Sequence, residues 1–141
     1  MNVLPQYSSV FWGLIAVIVL LFVQWAIATF AKGSQQGAIP GKIDPTLSHG
    51  SFVFRAHRTF MNTLENINAF MATSVVAVLI GADAFWTAVC VWMFFASRLV
   101  HMLLYYAIAT EKNPSPRSYF FMLGLLANLG LLGLCIKTLA S

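Results

Sequence analysis

The stretch Val10 to Ala31, VFWGLIAVIVLLFVQWAIATFA, decides how the rest of the chain is read. Only Gln24 and Thr29 interrupt its apolar run. A helix rises about 1.5 Å per residue, and about 20 apolar residues cover the roughly 30 Å hydrocarbon core of a bilayer, so this stretch reads as a membrane span. The rival reading is a secretory leader cleaved near Ala26-Ile27-Ala28. It lacks the basic amino-terminal region of such leaders, because residues 1–9 hold neither Lys nor Arg. The expectation is a retained first span.

Composition extends that character to all 141 residues, of which 60% are hydrophobic and 9% charged, with a mean hydropathy of +0.81. Soluble domains run at roughly 45–50% apolar and about 25% charged, so this is expected to be an integral membrane protein. Eight Lys and Arg against four Asp and Glu give a net charge of +4. So sparse a charge speaks to orientation in a bilayer and excludes the dense basic face that nucleic acid needs. Cys90 and Cys135 lie in apolar runs without CxxC or Cys/His spacing, which argues against a disulfide framework or a metal site.

Lys32 to Gly50 carries four Gly and two Pro and is predicted to be a loop. Ser51 to Ile80 contains neither, so one helix runs through it, apolar in its second half. Its first half carries Arg55, His57, Arg58, Asn62, Glu65, Asn66 and Asn68. Gly81-Ala82-Asp83 makes a tight connection to a third span with Arg98 and His101. Thr110 to Pro116 is the next loop, and a fourth span with Asn128 follows Arg117. The expected fold is all-α, an integral membrane four-helix bundle forming one domain over residues 1–141, with spans at about 10–31, 52–80, 84–109 and 118–139. Lys32, Lys42, Lys112 and Arg117 gather on one side, so both chain ends are expected to face away from the cytoplasm.

Ionisable groups inside a membrane are costly and mark function by default. At about 100° per residue, Arg55, Arg58, Asn62 and Glu65 fall within an arc of about 80°, with Asn66 beside them and His57 and Asn68 nearly opposite. Arg98, His101 and Tyr105 make a similar stripe on the third span. The short turn at Gly81 makes these helices antiparallel neighbours, which brings both stripes, with Arg117, to one membrane depth. Snorkelling explains Arg55 or Arg117 taken singly. It fits Glu65 and Arg98 poorly, since both lie well inside their helices. Gln24, Asn68 and Asn128 read as interhelical hydrogen bonds, and Trp12, Trp25 and Trp86 as interfacial anchors. Four arginines and one glutamate facing a cavity with apolar walls suit a ligand with several carboxylates and an amine, and glutathione is such a ligand.

These residues resemble the MAPEG family, the membrane-associated proteins in eicosanoid and glutathione metabolism. The family pattern E-R-x-x-R-A-x-x-N-x-x-E-N is similar to Phe54-Arg55-x-x-Arg58-Thr59-x-x-Asn62-x-x-Glu65-Asn66, and R-x-x-H-x-x-x-Y to Arg98, His101 and Tyr105. Arg117-Ser118 matches the Arg-Ser that opens the family's fourth helix. Phe54, Phe60 and Ala69 depart from frequent Glu, His and Pro, and the first span lacks the Arg that many members carry. The resemblance implies a homotrimer with glutathione as cosubstrate between subunits. It places Arg55, Arg58, Asn62, Glu65, Arg98, His101 and Tyr105 on the glutathione, with Arg117 near the sulfur and Ser118 as a second donor.

The implied activity is a membrane-bound glutathione transferase or peroxidase that takes a lipophilic small-molecule substrate or lipid hydroperoxide from the membrane lipid. Its expected location is a bacterial inner membrane or the endoplasmic reticulum, with the site end facing the cytoplasm and no metal or nucleic acid involved. Two alternatives are a non-catalytic relative that presents lipid and a small four-helix multidrug transporter. The transporter would carry an essential Glu in the first span, and this chain has none there.

Overall fold

A computed structural model describes residues 3–141, with side chains from residue 5 onward. A four-residue helix α1 (Val3–Gln6) precedes four long ones: α2 (Ser8–Gly33), α3 (Phe52–Leu79), α4 (Ala84–Ala107) and α5 (Pro116–Ala140). The ends of the long helices lie within two residues of the expected spans throughout, and α1 is an addition to them. By length and composition α2, α4 and α5 are each able to cross a membrane. α3 is equally long, but its polar first half keeps it from qualifying.

α5 packs most extensively on α4, α2 lies against α3 and α4, and α3 also touches α5. The buried residues of α3 recur every three or four positions, through Ala56, Thr59, Thr63, Ile67, Phe70, Ser74 and Ala77, which is one helical face. Phe70 stacks flat on Phe94 of α4 with ring centroids 3.9 Å apart, fixing the antiparallel register of these helices. Small residues let backbones approach, as packing in membranes favours. A Cβ on Gly13 would come within 2.5 Å of Val91 Cγ1. Hydroxyls buried in these apolar faces mostly satisfy themselves on the preceding turn, as Thr59 on the Arg55 carbonyl, Ser74 on Phe70 and Thr87 on Asp83.

One end of the bundle is closed by the α3–α4 turn. Gly81 adopts φ 71°, which only glycine takes without strain, and Asp83 caps α4 by accepting from the Trp86 N–H at 3.0 Å. Tyr7 is buried and donates its hydroxyl to the Ala82 carbonyl, tying the start of α2 to that turn. The opposite end carries both loops. In the longer one Asp44 accepts from the Thr46 N–H at 2.8 Å and hydroxyl at 2.7 Å, and these bonds hold its carboxyl below the ordinary range. Both cysteines are free. Trp12, Trp25 and Trp86 are exposed, as interfacial anchors would be.

Candidate functional site

The polar stripe of α3 lies along the edge of its buried face. Arg55 alone is buried there, because it begins the helix under the long loop. Its Nη1 donates to the carbonyls of His49 at 2.7 Å and Gly50 at 3.0 Å, and its Nη2 reaches the Tyr106 carbonyl at 3.4 Å. Arg55 therefore clamps loop, α3 and α4 together. Arg58 is half-buried and donates to Asn62 Oδ1 at 3.5 Å, while the Asn66 amide caps the Asn62 carbonyl at 2.9 Å. Glu65 is exposed on this single chain, and no arginine lies within ion-pair distance of it among the described residues.

The α4 stripe lies inside. Arg98 is 0% exposed, and its guanidinium is sandwiched between Phe94 at 5.1 Å and Phe121 at 5.0 Å from the ring centroids. None of its three nitrogens has a hydrogen-bond partner. Gly124 makes room for it, since a Cβ there would meet Arg98 Nε at 3.1 Å and Nη2 at 3.2 Å. Two aromatic faces return about 2 kcal/mol or somewhat more to a desolvated cation. An unpaired buried charge costs more than that, so within the single chain Arg98 is left incompletely compensated. His101, also buried, stands edge-on to Tyr105 at 5.7 Å, with Nδ1 unpartnered.

Arg117 meets this group from the first turn of α5. Its Cζ sits 4.0 Å above the Tyr105 ring, and its Nη2 lies 3.4 Å from His49 Nδ1 and 3.5 Å from the Thr110 carbonyl. Nη1 is buried without a partner. The Tyr105 hydroxyl is 3.0 Å from the same His49 Nδ1, and the two rings stack at 5.6 Å. Ser118 is spent differently. Its hydroxyl accepts from the Ser115 N–H at 3.2 Å and lies 3.1 Å from the Ser115 hydroxyl, closing the cap of α5.

The structure thus brings Arg55, Tyr105 and Arg117 into one cluster with Arg98 and His101 directly below. It sets Arg58, Asn62 and Glu65 on the outer edge. The four arginines expected to face one cavity are spread along the bundle: Arg117 covers Tyr105, while Arg98, about two turns earlier on α4, lies against Phe94 and Phe121. His49 is the residue that sequence reasoning missed. Its one signal was an imidazole in a loop of small residues just before α3. His57 points away from the cluster, as its helical angle requires, and is half-buried. The interhelical hydrogen bonds expected of Gln24, Asn68 and Asn128 are not found among the described residues. Gln24 is fully buried with both amide atoms unpartnered, Asn128 is half-buried, and Asn68 is exposed.

No group of His, Cys, Asp or Glu able to hold a metal occurs among the described residues. Comparison with known proteins matches residues 9–137 to the sequence profile of the MAPEG family. No curated protein and no solved structure matches the chain.

Proposed function

The chain belongs to the MAPEG family, and from that premise we propose that this multi-pass integral membrane protein is a glutathione transferase, with peroxidase activity toward lipid hydroperoxides. The observation that carries the reading is the concentration of arginines toward the loop end, none of which has a carboxylate within ion-pair distance among the described residues. Arg55, Arg98 and Arg117 all keep buried nitrogens without a partner there. Glutathione brings two carboxylates and a thiol to such donors, and Glu65 takes its ammonium. Glu65 is exposed and Asn62 and Arg58 are half-buried beside it on one chain, which supports a homotrimer with glutathione between subunits.

The chemistry begins with the thiol. At an ordinary pKa of about 8.5 it is only a few per cent ionised at pH 7. Arg117, a permanent cation in a poorly hydrated place, favours the thiolate, and about 1.4 kcal/mol of that attraction makes ionisation ten-fold more favourable. The thiolate then attacks an electrophilic carbon, whose leaving group departs with the bonding pair, or the terminal oxygen of a hydroperoxide, breaking the O–O bond to give a sulfenic acid and an alkoxide that takes a proton from water. An apolar groove of about 1070 Å³ between α2 and α4, lined by Trp12, Val19, Trp92, Leu99 and Met102, gives a lipophilic substrate an approach from the bilayer. The basic loops put the site end at the cytoplasmic face, of a bacterial inner membrane or the endoplasmic reticulum.

Calorimetric titration of glutathione into the detergent-purified protein, followed by ultraviolet absorption of the complex, tests the reading. Saturable binding with a thiolate band is expected. Binding without a thiolate band points to a non-catalytic relative that presents lipid, and absence of binding overturns the glutathione site.

A further inference from the structure

His49 is held more firmly than a loop residue with no task would be. Its N–H donates to Glu111 Oε1 at 3.1 Å, and its carbonyl accepts from Arg55 at 2.7 Å. The ring stacks on Tyr105 and meets Phe54 edge-on at 5.0 Å. Its two nitrogens face opposite kinds of group. Nε2 lies 3.7 Å from the Glu111 carboxylate, the only ion-pair contact among the described residues. Nδ1 faces two donors, the Tyr105 hydroxyl at 3.0 Å and Arg117 Nη2 at 3.4 Å. Arginine carries no acceptor, so Nδ1 is best matched as the unprotonated nitrogen of a neutral ring whose Nε2–H points toward Glu111. That is the tautomer of a base ready to receive a proton, oriented by a carboxylate behind it.

Resting on the glutathione reading above, we propose that His49, backed by Glu111, is the terminal proton acceptor for the glutathione thiol, reached through the Tyr105 hydroxyl. The thiol S–H bond breaks as its proton passes to the Tyr105 oxygen. The former Tyr105 O–H bond breaks in the same motion, and an N–H bond forms on His49 Nδ1. A thiolate and an imidazolium result, and Tyr105 remains neutral. Arg117 stabilises the thiolate and opposes the imidazolium, and the Glu111 carboxylate offsets that opposition from the far side of the ring. Arg55 meets His49 at its carbonyl, and with its bonds to Gly50 and Tyr106 holds the loop in place. When the thiolate displaces chloride from an aryl chloride, a carbon–sulfur bond forms and chloride leaves with the bonding pair. The imidazolium then passes its proton to water, which it can reach because the His49 side chain is 23% exposed.

The test uses the full-length protein in detergent with glutathione and chlorodinitrobenzene, over a range of pH. His49→Gln is expected to lower turnover about a hundred-fold near neutral pH, the scale of general-base catalysis, with glutathione affinity unchanged by calorimetry. At about pH 9, above the ordinary thiol pKa, solvent ionises the thiol and the deficit should shrink to a few-fold. Glu111→Gln alters an exposed loop side chain outside every helix, so it reports even if the His49 variant does not fold. About a ten-fold loss with the same alkaline recovery is expected. An equal loss at both pH values, no loss, or lost glutathione affinity in a folded variant would overturn the assignment. Failure of the unaltered protein to bind glutathione would instead bring down the reading on which the relay rests.

Discussion

The two ends of the bundle treat their polar groups in opposite ways. At the turn end the chain completes its own bonds: Tyr7 donates to Ala82, Asp83 caps α4, Thr87 turns back on Asp83, and Phe70 and Phe94 stack beneath. At the loop end Arg55, Arg98, His101, Arg117 and Gln24 all keep buried nitrogens without partners. Because an unsatisfied buried donor costs roughly 1–3 kcal/mol and a charged one more, the second end gives up stability that the first retains. On the function proposed above the missing acceptors come from outside the chain, which makes the turn end scaffold and the loop end site.

That contrast breaks most visibly if substitutions at the two ends act on the same property. Phe70→Ala should lower stability in detergent by about 3–5 kcal/mol, since its ring is fully buried against Phe94, and leave the glutathione affinity of the folded fraction unchanged. Chemical denaturation paired with calorimetry checks both halves. Glu65→Gln should do the reverse, weakening glutathione by roughly 1.5–3 kcal/mol without lowering the melting temperature, because Glu65 is exposed and forms no ion pair with an arginine among the described residues. A variant that binds normally but fails to assemble would move Glu65 to the scaffold.

Arg117→Ala sharpens the comparison within the site. It should keep most of the affinity while abolishing the ultraviolet thiolate band and slowing turnover by about ten-fold or more, equivalent to at least ~1.4 kcal/mol. If Arg117→Lys and Arg117→Ala both retain the band and the rate, Arg117 only anchors α5 at the interface. The smallest effect belongs to Tyr7→Phe, which loses one hydrogen bond at the scaffold end and should cost about 1 kcal/mol of stability, visible as a small fall in melting temperature with unaltered turnover.

Much of this was legible in the sequence because helical periodicity is local. The apolar run of Val10 to Ala31, the absence of Gly and Pro from Ser51 to Ile80 and the Gly81-Ala82-Asp83 turn specify the helices and their order. Fixed angles along α3 placed Arg55, Arg58, Asn62 and Glu65 on one arc and His57 away from it. An arc does not say what it faces. Only packing against α2, α4 and α5 made Thr59, Thr63 and Ile67 the buried line and left Glu65 outside. Nor does spacing reveal that Phe121 of α5 would close over Arg98, since that contact needs Gly124 beside the guanidinium. His49 lay furthest from sequence reasoning. Its loop has no period, and its position comes from bonds to Glu111, Arg55 and Tyr105, partners on three separate segments. The sequence by itself determined a membrane bundle with a cationic end, because hydropathy and helical pitch act over neighbouring residues. Which of those cations are enclosed, which face outward and which imidazole joins them was decided by tertiary structure alone, because each depends on side chains brought together from separate helices and loops.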